Sequence, residues 1–254
     1  MNCEFINRKK SKFTLEDRKF QANPRIEGMK IAAVEGAPFS GKTTLIKGLS
    51  EQFGVKFVPE YAKYASSGKD FPPFPSASIK DAKKSVEFFV DLEKKRCSDV
   101  IKLAQETDMP IIMDRSPLSC IVFQKMIEIN NPELPSVYAY SIEAFYDAYE
   151  KGEIFFPQVM VYIQPPGFED FKQRVANRGE TPIEMFNTYQ CGKIMELWYK
   201  LCVKKCFKDF NSLVLPSGNN QIQSNIDFAS SFLISEANYK TNPFINLPTM
   251  LDDK

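Results

Sequence analysis

Short apolar runs and longer stretches with a helical period alternate along most of the chain. Five of the runs are bounded by turn residues and predict buried strands, at residues 31–34, 55–58, 109–113, 159–163 and 213–215. Between them, apolar residues recur at steps of three and four, which predicts helices over 44–53, 78–107, 117–128, 136–149, 168–177, 183–210 and 222–234. This alternation predicts an α/β fold of three layers, in which helices cover both faces of a mostly parallel five-stranded sheet.

The two ends of the chain do not follow this pattern. Residues 1–27 are polar and basic, and we expect a weakly ordered extension or one that packs late on the domain. Residues 28–237 are expected to form one domain, and residues 238–254 a polar C-terminal tail. Within the domain, residues 66–76 are rich in Ser, Gly and Pro and predict an ordered, lid-like loop.

Composition excludes several classes of function. The chain carries 33 Lys and Arg against 32 Asp and Glu, which argues against a protein that binds duplex nucleic acid over its general surface. It has no histidine, and this excludes a Cys/His zinc site and catalysis by histidine. No stretch approaches the roughly 20 apolar residues of a membrane span. Six scattered cysteines in a chain of this size favour a reduced, cytoplasmic protein.

The most informative motif follows the first predicted strand. Residues 36–43 fit G-x-x-x-x-G-K-[ST], and their place between a strand and a helix is the context that a phosphate-binding loop (P-loop) requires. Gly36 and Gly41 allow successive backbone N–H groups to point inward, and the helix adds its positive end. We therefore expect these residues to bind a nucleotide: Gly36, Ala37, Pro38, Phe39, Ser40, Gly41, Lys42, Thr43 and Thr44.

Two side chains of the loop have predicted roles. Lys42 is expected to reach the outer phosphates as a point charge and to act in catalysis. The Thr43 hydroxyl is expected to hold Mg²⁺. The alternative is an ordinary turn between strand and helix with an exposed lysine.

Two further strand ends carry charged residues. Glu60 follows the second predicted strand, and Asp114 and Arg115 follow the third, so all of them are expected at the edge of the sheet where ligands bind. Glu60 is a candidate base for an acceptor hydroxyl, or else an exposed turn residue. Asp114 is a candidate for the metal site, directly or through water. Arg115 would hold Glu60 or an acceptor phosphate, or form an ion pair with Asp114.

Helical periodicity places two charges on an apolar stripe. Phe89, Glu93, Arg96 and Val100 follow one another at steps of four, three and four, so they share one helix face. Charges on a core-facing stripe are unfavourable unless they serve a ligand or each other. Glu93 and Arg96 are therefore predicted either to contact substrate or to form an internal i,i+3 ion pair.

Two more groups of side chains are candidates for the site. Arg174 and Arg178 lie four residues apart beside a break, which suits a helical lid that stabilises transition-state charge, or else a solvated basic face. Phe89, Phe123 and Tyr61 would sandwich a base, although aromatic residues at helical spacing more commonly belong to a core.

The loop alone does not separate kinases from GTPases or motor ATPases. A GTPase would carry Asn-Lys-x-Asp after a later strand, and the sequence has none. A motor ATPase usually ends an apolar strand in adjacent acids, whereas here Arg115 follows Asp114. Both observations favour a kinase.

The order of these motifs resembles the superfamily of deoxynucleoside kinases and thymidylate kinases. The resemblance covers roughly residues 29–210. It rests on the G-x-x-x-x-G-K-T loop, on Pro59-Glu60, on Asp-Arg-Ser-Pro-Leu-Ser at 114–119 followed by Phe123-Gln124, and on residues 171–180, which are similar to an arginine-bearing lid. It implies in-line transfer of the γ-phosphoryl group of Mg-ATP, with charge stabilised by Arg115, Arg174 and Arg178.

Some features depart from that pattern. The proline precedes Glu60, whereas deoxynucleoside kinases tend to have Glu-Pro, and the lid segment has few arginines. The stretch at 59–62 and the loop at 71–75 are closer to bacterial-type small-molecule kinases, including nicotinamide riboside kinase-like domains. These departures leave the acceptor open more than the reaction type.

The sequence therefore predicts a cytoplasmic kinase that uses ATP and Mg²⁺ to phosphorylate a nucleoside or a nucleoside monophosphate. Glu60 favours a nucleoside, whose hydroxyl needs a base, and Arg96 with Arg115 would serve a monophosphate; we expect the nucleoside. The alternatives are a regulatory nucleotide-binding protein without an acceptor, a kinase of another small riboside, and a kinase of nucleic-acid 5′ ends, for which residues 8–19 supply positive charge. The expected partner is a small-molecule acceptor, with a homodimer left open and neither membrane nor nucleic acid expected.

Overall fold

The computed structural model describes residues 28–65, 71–72, 75–178, 188–206 and 211–239. The predicted N-terminal extension and residues 240–254 of the predicted tail lie outside this part, as do most of the lid-like loop and the side chain of Arg178. The domain bounds at residues 28 and 237 therefore remain predictions.

In the described part of the chain, five strands form one sheet in the order β2-β3-β1-β4-β5. Every pair of neighbouring strands is parallel. Each strand overlaps a predicted apolar run. The three central strands β1, β3 and β4 are buried along their whole length, which requires apolar residues on both faces. The predicted α/β fold is confirmed, and the sheet is parallel throughout. The strands are β1 Ile31–Gly36, β2 Lys56–Val58, β3 Ile111–Asp114, β4 Val159–Ile163 and β5 Ser212–Leu215.

The described residues also form seven α-helices, one over each predicted helical stretch. They are α1 Lys42–Phe53, α2 Ile79–Ala104, α3 Pro117–Asn130, α4 Tyr138–Glu150, α5 Phe168–Arg178, α6 Tyr189–Cys206 and α7 Ile222–Ile234. Of the helix predicted over 183–210, residues 183–187 and 207–210 lie outside the described part. None of the described helices has the length and apolar character to cross a membrane.

Local sequence sets where several helices begin. Helix α1 starts at Lys42, directly after Gly41, whose φ of 102° lies in the left-handed region that glycine adopts easily. At the start of α3 the Ser116 hydroxyl accepts a hydrogen bond from the Leu118 N–H at 3.2 Å, and Pro117 occupies the first turn. This cap fixes the β3–α3 connection, which carries Arg115.

Two apolar cores lie on opposite faces of the sheet. On β1, Ile31 and Ala33 belong to the core that also contains residues of α2, α3, α4 and α6. Ala32 and Val34 belong to the other core, with residues of α1 and α7. Successive side chains of a strand point to opposite faces, so one apolar run supplies both cores and the fold has three layers.

The carboxyl ends of the parallel strands meet at one edge of the sheet. β1 leads into the P-loop, β2 into Pro59 and Glu60, and β3 into Arg115. Val34 is in register with Asp114, and Val58 is in register with Met113, so these three strand ends lie side by side. The sheet order therefore brings together the groups that the sequence places far apart.

Candidate active site

A cleft of about 1080 Å³ opens at this edge of the sheet. One end is formed by residues 38–45 of the P-loop and α1, together with α5 and the connection between β5 and α7. The other end is formed by residues of α2, α3 and α4 and by the segment after β2. Glu60 and Arg115 also line the cleft. Its volume is that of a small-molecule site.

The P-loop is curled in a way that its first glycine permits. Gly36 has φ of 150°, and a Cβ at this position would lie 2.5 Å from the Ile163 carbonyl oxygen and 2.7 Å from Ser40 Oγ. The Lys42 ammonium donates to the carbonyl oxygens of Gly36 at 3.1 Å and Ala37 at 2.9 Å. Burial, and then the neighbouring charge of Arg115, lowers the pKa of Lys42 to about 7. Lys42 is thus held inside the loop, and the alternative of an exposed lysine is not what the structure shows.

Helix α5 approaches the loop through Arg174. Its Nη1 donates to the Phe39 carbonyl oxygen at 2.7 Å and to Ser217 Oγ at 2.9 Å, and Ser217 Oγ in turn donates to the Ser40 carbonyl oxygen at 2.9 Å. Phe39 has φ of 64°, and its ring packs edge-on against Phe171 of α5 at 5.6 Å. Arg174 therefore lies at the P-loop end of the cleft and not on a solvated basic face.

Arg115 connects the loop to the other strand ends. Its Nε lies 3.4 Å from a carboxylate oxygen of Glu60, and its Nη1 donates to the Gly36 carbonyl oxygen at 3.1 Å and to Ser119 Oγ at 3.3 Å. The guanidinium also lies 5.2 Å from the centre of the Phe123 ring. Burial alone would lower the pKa of Arg115, but Tyr199 and Glu60 raise it above its ordinary value, so this residue stays charged.

Asp114 is the described residue whose chemistry best fits a metal ion. Its side chain is buried, and Oδ1 has no hydrogen-bond partner among the described residues. Burial raises the pKa of Asp114 above its ordinary value, against the opposing effect of Lys42 and Arg115. A buried carboxylate oxygen without a donor suits a cation. Asp114 does not itself line the cleft; the exposed Thr43 and the neighbouring Arg115 do.

The end of the cleft opposite the P-loop is aromatic. Phe89 packs edge-on against Tyr61 at 5.6 Å and lies 6.0 Å from Phe71, and Phe123 and Phe145 complete the lining. Tyr61, Phe89 and Phe123 thus line one cleft, and their role in holding a base stays a prediction. The rings also pack in or against the core, which is the second alternative that the sequence left open.

Glu93 and Arg96 require a correction. Both side chains have 0% exposure and do not line the cleft, so in this structure they do not contact a ligand there. Arg96 Nη1 lies 2.6 Å from Glu93 Oε2, which is the internal i,i+3 ion pair. The helical period placed them correctly on the buried face of α2, but it could not tell which buried groups they meet.

The sequence did not point to Glu35, the most highly hydrogen-bonded carboxylate of the site. Glu35 Oε1 accepts from the N–H of Ser116 at 2.7 Å and from its hydroxyl at 2.6 Å. Oε2 accepts from the hydroxyls of Ser119 at 2.6 Å and Tyr199 at 3.0 Å. A glutamate inside an otherwise apolar buried strand was the available signal, because a buried charge needs partners.

Comparison with known proteins identifies the class. The sequence model of the deoxynucleoside kinase family matches residues 32–208. The chain therefore belongs to the deoxynucleoside kinase family and is a nucleoside or nucleotide kinase, which confirms the resemblance. No curated protein sequence matches the chain significantly.

Solved structures show the same fold. A deoxyadenosine kinase from M. mycoides with bound dCTP has a TM-score of 0.58 and 17% identity, covering 79% of this chain and 99% of that one. The M. mycoides enzyme with bound dATP has a TM-score of 0.55 and 21% identity, over 82% and 100% of the two chains. The thymidylate kinase from Candida albicans has a TM-score of 0.56 and 13% identity, over 84% and 94%.

Proposed function

We propose that this kinase transfers the γ-phosphoryl group of ATP to a hydroxyl group of a nucleoside. The loop amides and Lys42 would hold the polyphosphate, and Arg174 would support the loop from α5 and stabilise charge on the transferred group. Arg178 keeps its predicted role of stabilising charge on the transferred group. Thr43 and Asp114 would hold Mg²⁺, which supplies charge neutralisation on the phosphates.

The observation that carries the choice of acceptor is the pairing of Glu60 with Arg115. Among the described residues that line the cleft, the cations are Lys42, Arg115 and Arg174. Lys42 and Arg174 are bonded to the P-loop, and the guanidinium of Arg115 lies against Glu60. A monophosphate at the aromatic end would therefore meet one cation and the carboxylate beside it. A neutral hydroxyl suits this arrangement better.

The exposure of Glu60 supports its proposed role as general base. Its side chain is 40% exposed at the cleft, so an acceptor hydroxyl can reach it, whereas the Arg115 side chain is only 9% exposed. Arg115 would orient the carboxylate and offset the negative charge that builds up during transfer. The aromatic end of the cleft would hold the base of the nucleoside.

The test is a phosphotransfer assay of the full-length protein with Mg-ATP. Acceptors are the natural ribo- and deoxynucleosides, their 5′-monophosphates and nicotinamide riboside, and product formation is followed by chromatography. We expect turnover with one or more nucleosides and little with monophosphates. Phosphorylation of monophosphates alone would overturn the proposal. ATP hydrolysis that no acceptor stimulates would favour the regulatory alternative.

The compartment, the phosphoryl donor and the oligomeric state of the protein are also part of this proposal. The described thiols of Cys97 and Cys120 are free and buried, which supports a reduced, cytoplasmic protein. ATP as donor in preference to GTP is tested by exchanging the donor in the same assay. The homodimer stays a prediction.

A further inference from the structure

Arg96 of α2 is fully buried, and its guanidinium donates hydrogen bonds to three backbone carbonyl oxygens in addition to its ion pair. Nη1 donates to Glu93 Oε2 at 2.6 Å, which satisfies the charge. Nε donates to the Pro59 carbonyl oxygen at 3.1 Å. Nη2 donates to the carbonyl oxygens of Asp114 at 2.8 Å and Arg115 at 2.7 Å. The guanidinium also lies 4.2 Å from the centre of the Tyr61 ring.

The three carbonyl groups belong to two different strand ends. Pro59 directly precedes Glu60, and Asp114 and Arg115 end β3 and begin the turn into α3. One rigid guanidinium therefore holds the backbone of the proposed base and the backbone of its guanidinium partner at the same time. The planar fork of an arginine allows this, because its donors point in fixed directions.

The backbone of Arg115 needs such support. Its φ is 70°, a left-handed conformation that is unfavourable for a residue with a long side chain. The Arg115 N–H donates to the Val34 carbonyl oxygen at 3.1 Å, and the next N–H, that of Ser116, donates to Glu35 at 2.7 Å. Arg96 donates to the carbonyl oxygen of Arg115. A conformation of this kind persists where several bonds fix it together.

We propose that Arg96 is a positioning residue that sets the distance between Glu60 and Arg115 by holding the carbonyl oxygens of Pro59, Asp114 and Arg115. The proposal rests on the roles assigned to Glu60 and Arg115 under the proposed function. Arg96 does not touch substrate, and its effect on the reaction passes through Arg115 and Glu60. Glu93 keeps the guanidinium in place and neutralises it within the core.

The first variant is Arg96→Lys. A lysine keeps a positive charge beside Glu93, but a single ammonium group cannot reach all three carbonyl oxygens. We expect kcat to fall by at least about tenfold, because small displacements of catalytic groups reduce rates strongly. The KM for ATP is expected to stay within about twofold, since Lys42 and Arg174 keep their contacts with the P-loop. Circular dichroism confirms that the variant is folded.

A matched control separates positioning from loss of stability. Asn211 is also fully buried and donates to two carbonyl oxygens, those of Gln158 at 3.3 Å and Asn238 at 2.9 Å. It precedes β5, so it lies at the end of the sheet opposite the cleft. Asn211→Ala is expected to lower the melting temperature and leave kcat of the folded enzyme unchanged. An equal fall of kcat in both variants would overturn the proposal.

The decisive measurement is a double-mutant cycle of kcat with Arg115→Lys. If Arg96 acts through Arg115, then Arg96→Lys is expected to lower kcat by less than about twofold in the Arg115→Lys background. Losses that multiply in the double variant would mean that the two residues act independently, and the proposal would be wrong. A purely structural role of Arg96 does not produce this non-additivity.

Two further points keep the test decisive. If Arg96→Lys does not fold, Arg96→Gln replaces it in the same cycle, because its single amide group cannot bond all three carbonyl oxygens; wild-type kcat in that variant would overturn the proposal. The acceptor in every assay is the one that the wild-type enzyme phosphorylates fastest. If that acceptor is a monophosphate, the proposed function fails while the cycle still tests Arg96.

Discussion

Glu35 and Ser116 are 81 positions apart in the sequence, yet Ser116 donates two hydrogen bonds to the Glu35 carboxylate, from its N–H at 2.7 Å and from its hydroxyl at 2.6 Å. Ser116 is also the residue that caps α3, and it directly follows the strained Arg115. The end of β1 therefore holds the end of β3 through one buried carboxylate. This link joins the strand that leads into the P-loop to the strand that leads into Arg115.

We predict that Glu35→Ala lowers the free energy of unfolding by on the order of 3 kcal/mol or more, because the donors of Ser116, Ser119 and Tyr199 lose their acceptor inside the core. Urea unfolding measures the loss. Glu35→Gln keeps the shape and one acceptor oxygen and is expected to lose clearly less. Equal stability of Glu35→Ala and the wild type would contradict this account of the network.

Lys42→Ala is predicted to lower kcat by at least about a hundredfold, because the variant lacks the charge that is proposed to contact the transferred phosphoryl group. The fold is expected to stay intact. Steady-state kinetics and a melting curve test the two parts. Lys47→Ala is the control, since Lys47 is exposed on the same helix and should leave turnover unchanged. Near-normal turnover in Lys42→Ala would contradict the assigned role.

Glu60→Gln is predicted to lower kcat with nucleoside acceptors by about 10²- to 10⁴-fold, because an amide cannot take the proton of the attacking hydroxyl. The KM for ATP should change little, since Glu60 is not one of the residues proposed to hold ATP. Glu51→Gln serves as the control, because Glu51 is an exposed glutamate of α1. A loss confined to KM, with kcat retained, would mean that Glu60 binds the acceptor without acting as the base.

Gly36→Ala is predicted to weaken nucleotide binding and to lower the free energy of unfolding by on the order of 2 kcal/mol, because the new Cβ would lie 2.5 Å from the Ile163 backbone oxygen at a φ unsuited to alanine. Calorimetry with ATP and urea unfolding measure the two effects. At Gly192, within α6, a Cβ would have no neighbour nearer than 3.8 Å. Gly192→Ala should therefore be neutral or stabilising.

Tyr162 provides a prediction about pH. The side chain is fully buried, its hydroxyl has no hydrogen-bond partner among the described residues, and burial followed by the charges of Glu196 and Glu35 raises its pKa well above the ordinary value of 10.0. The unfolded chain ionises Tyr162 near pH 10 and the folded chain does not. This tyrosine therefore reduces stability as the pH rises above about 10 and has no such effect below it.

The corresponding variant is Tyr162→Phe. Between pH 8 and pH 11 its free energy of unfolding is expected to rise by about 1.4 kcal/mol relative to that of the wild type. The reason is that only the unfolded wild type gains stability from the ionisation of Tyr162. At pH 8 it should be at least as stable, since the hydroxyl that it removes is unsatisfied. Urea unfolding at both pH values measures the difference. An unchanged difference between the variants at the two pH values would show that Tyr162 ionises in the folded state as well.

The elements of the fold were predictable because their signals are local. Apolar runs predicted the strands, and apolar residues at steps of three and four predicted the helices. Both patterns can be recognised within a short window of the sequence. The P-loop was equally predictable, because its glycines, lysine and threonine act within a few residues of one another. The joint position of Glu60 and Arg115 needed only the rule that parallel strands end at one edge.

The partners of buried polar groups were not predictable in this way. The period placed Arg96 on the core face of α2, but the carbonyl oxygens of Pro59, Asp114 and Arg115 reach it only after β2 and β3 pair in register. Glu35 was overlooked for the same reason, because its donors come from α3 and α6.

The sequence by itself determined the strands, the helices, the phosphate-binding loop and the edge of the sheet at which charged residues collect. Only the tertiary structure decided that Arg96 faces backbone carbonyls instead of substrate, and that Glu35 holds the turn after β3. The physical reason is that periodicity fixes the direction in which a side chain points. The hydrogen bonds that satisfy a buried charge depend on segments that packing brings together from distant parts of the chain.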